Sequence, residues 1–118
     1  MTIKEVSKKY GISTDTLRYY ERVGLFPRVK RTASGIRDFD EESCEWVEFI
    51  KCMRDYGVQI SALTEYVALF FEEGTERQRL DILREQRERL FRQRDDFDAT
   101  IKRLNEKISY YESVIDEK

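Results

Sequence analysis

From Glu76 to Asp116 the chain runs without a glycine or a proline. Along it, positions spaced alternately three and four apart carry Leu80, Leu83, Arg87, Leu90, Arg94, Phe97, Ile101, Leu104, Ile108, Tyr111 and Ile115. Nine of the eleven are apolar, over about five heptads. That period is the signature of a coiled-coil seam. At about 1.5 Å per residue, a helix of some 40 residues is about 60 Å long. One amphipathic helix of that length cannot bury its stripe alone, and antiparallel pairing with a second copy is the simplest solution. Arg87 and Arg94 break the stripe near its start, where they would fix register or mark the place at which the helix leaves its partner.

The remaining composition follows from this rod. Charged residues make up 39% of the chain and apolar residues 40%. That load is high for a compact globule and expected of a long solvated helix. Five glycines and one proline favour helix over sheet. No run approaches the roughly 18 apolar residues of a membrane span, and the opening MTIKEVSKKYG lacks the apolar core of a signal peptide. A cytoplasmic protein is expected, with Cys44 and Cys52 as reduced thiols. The net charge of −2 hides an uneven distribution. Residues 1–39 carry +5, residues 40–74 carry −7, and the rest balance to zero. A basic front end suits a polyanion, although solvated surfaces also segregate charge this way.

Thr2 and Glu5 form a capping box for a helix over Ile3–Tyr10, which Gly11 ends. Ser13 caps a second helix over Thr14–Val23, stopped by Gly24, with Leu17 inward and Leu25 packing beyond the stop. Two short helices across a tight glycine turn make a helix-turn-helix. In FPRVKRTASGIRDF, Val29 and Ile36 flank a polar turn, which predicts a small β-hairpin or wing. Asp40 caps a third helix with an acidic first turn, and Trp46, Phe49, Ile50 and Met53 give it a stripe expected to be buried. A fourth helix should span Ile60–Phe71, with Leu63, Val67 and Phe70 or Phe71 inward; the Glu72–Thr75 stretch reads as a hinge.

In such a motif the second helix enters the major groove and its first residues reach base edges. Those are Thr14, Asp15, Thr16 and Arg18, with Arg18 suited to a bidentate guanine contact. Tyr19 follows as a phosphate or base-edge contact; the competing structural reading leaves Arg18 a solvated charge and Tyr19 in the core. Tyr20 is expected to pack inward or against the wing, and Lys30, Arg31 and Arg37 suit phosphate clamping by the wing. Enzyme chemistry is not indicated, because the chain has no histidine, no Gly-rich phosphate loop and no nucleophile–base pair.

Three stretches carry a family resemblance: TIKEVSKKYGISTDTLRYYERVGLFP, RTASGIRDF and FIKCMRDYGVQISAL. With the long final helix, they resemble MerR-type transcriptional regulators over essentially the whole chain. The resemblance implies a mainly α fold: a winged helix-turn-helix domain followed by a long dimerisation helix in an antiparallel coiled coil. The expected division is 1–74 for DNA binding (helix-turn-helix about 3–23, wing about 28–39, helix pair about 41–72) and 75–118 for dimerisation through Leu83, Leu90, Phe97, Ile101, Leu104, Ile108, Tyr111 and Ile115. It implies a homodimer on double-stranded promoter DNA, with recognition helices in successive major grooves. Such regulators distort promoters whose two polymerase elements lie too far apart, so RNA polymerase is engaged indirectly, through the DNA. Two positions depart from the family pattern: Asp38 stands where a base is common, and Phe39 where a tyrosine is common, which removes a hydroxyl from the phosphate contact.

The resemblance is to a short form without the C-terminal ligand domain. No cysteine follows Cys52 and there is no histidine, so soft-metal sensing is not expected and no metal or cofactor is implied. The position of Cys52 resembles the single sensor cysteine of aldehyde- and electrophile-responsive members, which would tie the protein to stress response. Lys51 and Arg54 beside it could lower its thiol pKa; alternatively it packs as a half-buried, inert residue. Cys44 falls almost opposite the stripe of the third helix and is expected to be exposed and incidental. Cys44 and Cys52 are eight residues apart on one helix, about 12 Å, which is beyond the roughly 7 Å reach of a disulfide. Two other functions fit: an effector-independent architectural or repressor-like DNA-binding protein, and a coiled-coil interaction protein with vestigial DNA binding.

Overall fold

The computed structural model describes residues 1–117; residue 118, the end of the expected 75–118 segment, lies outside them. Five helices follow in order: α1 (Ile3–Tyr10), α2 (Thr14–Val23), α3 (Glu41–Asp55), α4 (Ile60–Phe70) and α5 (Glu76–Asp116). Among the described residues there is no strand, only an isolated antiparallel bridge between Arg31 and Arg37. The chain divides into two compact units, Met1–Gln86 and Arg87–Lys118, so α5 begins inside the first.

Local chemistry sets the boundaries. The Thr2 hydroxyl accepts from Glu5 N while the Glu5 carboxylate accepts from Thr2 N, which closes the capping box. Gly11 and Gly24 end α1 and α2 at φ of 68° and 83°, a left-handed turn that costs little only for glycine. Ser13 and Asp40 accept from the third helical amides of α2 and α3. α4 has no side-chain cap of its own. Instead Gln86 of α5, 7% exposed, accepts from Gln59 N at 3.2 Å.

α1 packs on α2 and α3. The core holds Val6, Leu17, Leu25, Phe26, Phe39, Val47, Ile50, Val58, Leu63 and Val67, all buried. Each such side chain contributes on the order of 1.5–3 kcal/mol by leaving water. Phe26 and Phe39 meet edge to face at 6.4 Å. Phe39 therefore belongs to the core at the base of the wing, where a hydroxyl would have no solvent to face.

Three expectations need correction. In α3 the buried stripe is Val47 and Ile50; Trp46, Phe49 and Met53 are only half-buried. Trp46 and Phe49 instead meet Tyr66 and Phe70 of α4 at ring separations of 5.1–6.5 Å along a partly open groove. Phe70 and Phe71 are exposed, not inward. The hinge at 72–75 is pinned: the buried Thr75 hydroxyl lies 2.7 Å from Leu69 O and 2.9 Å from Glu72 O, and Arg79 Nε donates to it at 3.1 Å.

In α5 the expected seam lies open. Phe97, Ile101, Leu104, Ile108, Tyr111 and Ile115 are exposed, and Leu80 and Leu83 stand at 39% and 40%. The two arginines that interrupt it sit against the Phe91 ring, Arg87 at 5.7 Å and Arg94 at 4.8 Å from its centroid. No helix among the described residues is long and apolar enough to cross a membrane.

Candidate nucleic-acid interface

α2 and the loop after it face one another across a concave cavity of about 640 Å³, lined by Arg18, Glu21, Arg22, Arg28, Val29, Arg31 and Arg37. Helical spacing places Arg18 and Arg22 on one side of α2, four residues apart. The loop closes on itself through Thr32 N to Ile36 O at 2.7 Å and Asp38 N to Lys30 O at 2.7 Å, which returns Arg37 beside Arg31. The wing is thus a turn held by one bridge and not a strand-built hairpin; Ile36, at its tip, is 58% exposed while Val29 is buried.

Glu21 sits at the centre of these cations. Its carboxylate accepts from Val29 N at 2.7 Å and from Arg37 Nε at 2.9 Å, with Arg31 Nη2 4.0 Å away. Burial pushes this carboxyl up. The Val29 amide, the Arg37 hydrogen bond and the two guanidinium charges outweigh that and hold it below the ordinary range.

The sequence-identified residues fall as follows. Arg18 is exposed at the head of the cavity, with Nη1 3.2 Å from Asp15 Oδ1 and 3.4 Å from Thr14 Oγ1. Thr14 and Thr16 are half-buried in the first turn of α2, and the Thr16 hydroxyl accepts from Ser13 Oγ at 2.8 Å. Tyr19 is 40% exposed, with Arg22 over its ring at 5.4 Å, which removes the core-packing reading. Tyr20 is half-buried and lies 6.1 Å from Tyr19. Arg31 Nη1 donates to Gly35 O, bracing the turn. Lys30 projects from the wing and pairs with Asp40 at 3.0 Å. The Ser43 amide and Lys30 lower the Asp40 carboxyl to about 2. Asp38 turns toward the Met1 ammonium at 3.2 Å.

From the sequence, Arg22 reads as a cation carried by the second helix, but no DNA contact is assigned to Arg22, Arg28 or Glu21. Arg22 was within reach of the i, i+4 rule from Arg18. Arg28 and Glu21 join the site only because the loop folds back onto α2, which no spacing announces. Arg22 and Arg28 make no ion pair among the described residues.

Cys52 is exposed, which removes its half-buried reading, whereas Cys44, expected to be exposed, is half-buried, its sulfur 3.9 Å from the Met1 sulfur and 4.0 Å from Phe39 O. The cations near Cys52 are engaged elsewhere. Lys51 Nζ pairs with Asp55 at 2.7 Å, which raises the ammonium pKa, and Arg54 donates to Val58 O at 2.7 Å. Among the described residues no group of three or more histidine, cysteine or carboxylate side chains could hold a metal ion.

Residues 1–69 match the MerR HTH family of regulatory proteins. The chain belongs to this family. Its MerR domain carries the whole arginine-lined cavity. The chain is 56% identical over 91 residues to the HTH-type transcriptional regulator AdhR of Bacillus subtilis, an overlap covering 76% of this chain and 65% of that relative. HmrR of Sinorhizobium medicae is 37% identical over 59% of this chain and 48% of its own length. The aligned stretch thus spans less than two thirds of AdhR and about half of HmrR. Among solved structures, one described as a MerR-family transcriptional regulator from Listeria monocytogenes superposes with a TM-score of 0.91 at 43% identity, covering 95% of this chain and 86% of that one. HiNmlR, a MerR-family regulator lacking the sensor domain and bound to promoter DNA, superposes with a TM-score of 0.84 at 25% identity, covering 95% and 90%. A family of regulators, not enzymes, accords with the absence of a catalytic constellation in the sequence.

Proposed function

We propose that this protein is a sequence-specific DNA-binding transcriptional regulator that acts in the cytoplasm as a homodimer and distorts promoter DNA. The observation that carries this reading is the cavity between recognition helix and wing, lined by five arginines on a chain of net charge −2. Concentrated guanidinium groups on a concave face suit phosphate oxygens, which supply most of the affinity of such interfaces. The likeness to HiNmlR, whose structure holds promoter DNA, supports the same reading over 95% of the chain.

In this account Thr14, Thr16, Arg18 and Tyr19 meet the major groove, and Lys30, Arg31 and Arg37 meet the backbone. Residues 1–74 bind DNA and residues 75–118 dimerise. The open apolar stripe of α5 gives the second copy its seat, and RNA polymerase is reached through the distorted duplex. A selection from a random duplex library tests it. One enriched, two-fold-related sequence, bound with a steep salt dependence, is the expected outcome; equal binding to all duplexes would favour a coiled-coil interaction protein with vestigial DNA binding.

The switch we assign is Cys52, on account of its exposure. Its thiolate adds to the β-carbon of an α,β-unsaturated aldehyde; a C–S bond forms and the α-carbon takes a proton from water. The engagement of Lys51 with Asp55 and of Arg54 with Val58 O favours the other reading, an effector-independent repressor-like or architectural protein. Transcription from the selected promoter, measured with and without acrolein, separates them. Loss of the response in Cys52→Ala supports sensing, and an unchanged response ends it.

A further inference from the structure

We propose that Glu21, an acid in the middle of the DNA-facing arginine cavity, is a positioning residue that strengthens operator binding. The inference rests on the DNA-binding reading above and adds a residue whose charge alone argues the opposite. A carboxylate on a phosphate-binding face should repel DNA. Glu21 is placed so that it does not act alone: its side chain is 10% exposed, one oxygen accepts from Val29 N at 2.7 Å and the other from Arg37 Nε at 2.9 Å.

Those two bonds join the last turn of the recognition helix to both arms of the wing loop, one on each side of the turn. Val29 is on the outgoing arm and Arg37 on the returning arm, and the Arg31–Arg37 bridge ties the arms together. Among the described residues no sheet lies behind the loop, and this carboxylate ties both of its arms directly to α2. Arg37 bonds through Nε, which leaves its Nη groups out of that bond in the cavity Arg37 lines. A guanidinium held by one edge presents the other in a defined direction. Arg31, 4.0 Å from the same carboxylate, is braced on Gly35 O. The acid thus spends one charge to set two cations and the loop that carries them.

The test measures three quantities for Glu21→Gln against wild type: affinity for the duplex selected from a random library, affinity for a random duplex of equal length, and the salt slope of each. Gln keeps the shape and removes the charge. A loss of hydrogen bonds to charged groups predicts operator binding weaker by about tenfold or more, with random-duplex binding unchanged or tighter. The operator salt slope falls by about one, because a wing phosphate contact is lost. The ratio of the two affinities does not depend on the folded fraction, so a variant that folds less well still reports. On an Arg37→Ala background the same substitution should change the ratio little. Operator binding as tight as wild type or tighter, with an undiminished salt slope, overturns the proposal and leaves Glu21 a plain repulsive charge. Random binding at every duplex by wild type would instead defeat the underlying DNA-reading account, before Glu21 is in question.

Discussion

Arg18 meets solvent with its guanidinium already held, 3.2 Å from Asp15 Oδ1. Both partners are well exposed, so the pair contributes little, at most about 1 kcal/mol, and a base edge can displace it cheaply. Replacing Arg18 with alanine should weaken operator binding by about 1–3 kcal/mol and relax preference at one base position, read by competition with single-base variants of the selected duplex. Asp40 carries a pH signature. Its carboxyl lies at about 2, below the ordinary 3.8. The stability it contributes is complete above 3.8 and is lost as pH falls through about 2. Asp40→Ala should therefore lower the melting temperature at pH 7, and the difference should narrow toward pH 2; an equal difference at both would contradict the assignment. Residues of this kind were partly legible. Arg18 and Tyr19 follow from position on a capped helix. Glu21 and Arg28 do not, because only the return of the loop brings the wing to them, and the partial burial of Cys44 depends on Met1 and Phe39 lying over the start of α3.

α1 and α2 were readable because each of their boundaries has a local cause: a hydroxyl cap at one end, a glycine at the other. Ser13→Ala should cost about 1 kcal/mol of stability in denaturant titrations, since its hydroxyl is the cap of the recognition helix. What escaped reading was tertiary. Trp46, Phe49, Met53 and Phe70 have the spacing of buried residues, but the face they share is the outer one, while smaller Val47 and Ile50 fill the core. The wing lacks strands because five residues, Thr32 to Ile36, turn within a single bridge. In α5 the three-four spacing survives as an exposed stripe. Ile101 and Leu104 are 53% and 57% exposed, so replacing either with lysine or aspartate leaves the buried core of the first unit intact. Such variants should keep the melting transition of the first unit and halve the mass seen in sedimentation; a dimer that persists would place the contact elsewhere.

Over the molecule, charge is sorted: residues 1–39 carry +5 and residues 40–74 carry −7. The basic part holds the arginine cavity; the acidic part, α3 and α4, would meet a duplex unfavourably and so orients the encounter. Each phosphate neutralised adds about 0.9 to the magnitude of the salt slope, so a dimer with a cavity on each copy should show roughly twice the slope of a forced monomer. The account as a whole claims two copies reading two half-sites. Its most direct test is sedimentation of the protein with the selected duplex, together with a hydroxyl-radical footprint of the same complex. Two chains per duplex, with two protected half-sites a whole number of helical turns apart, is the result expected. One chain per duplex, or protection without a second half-site, would contradict it.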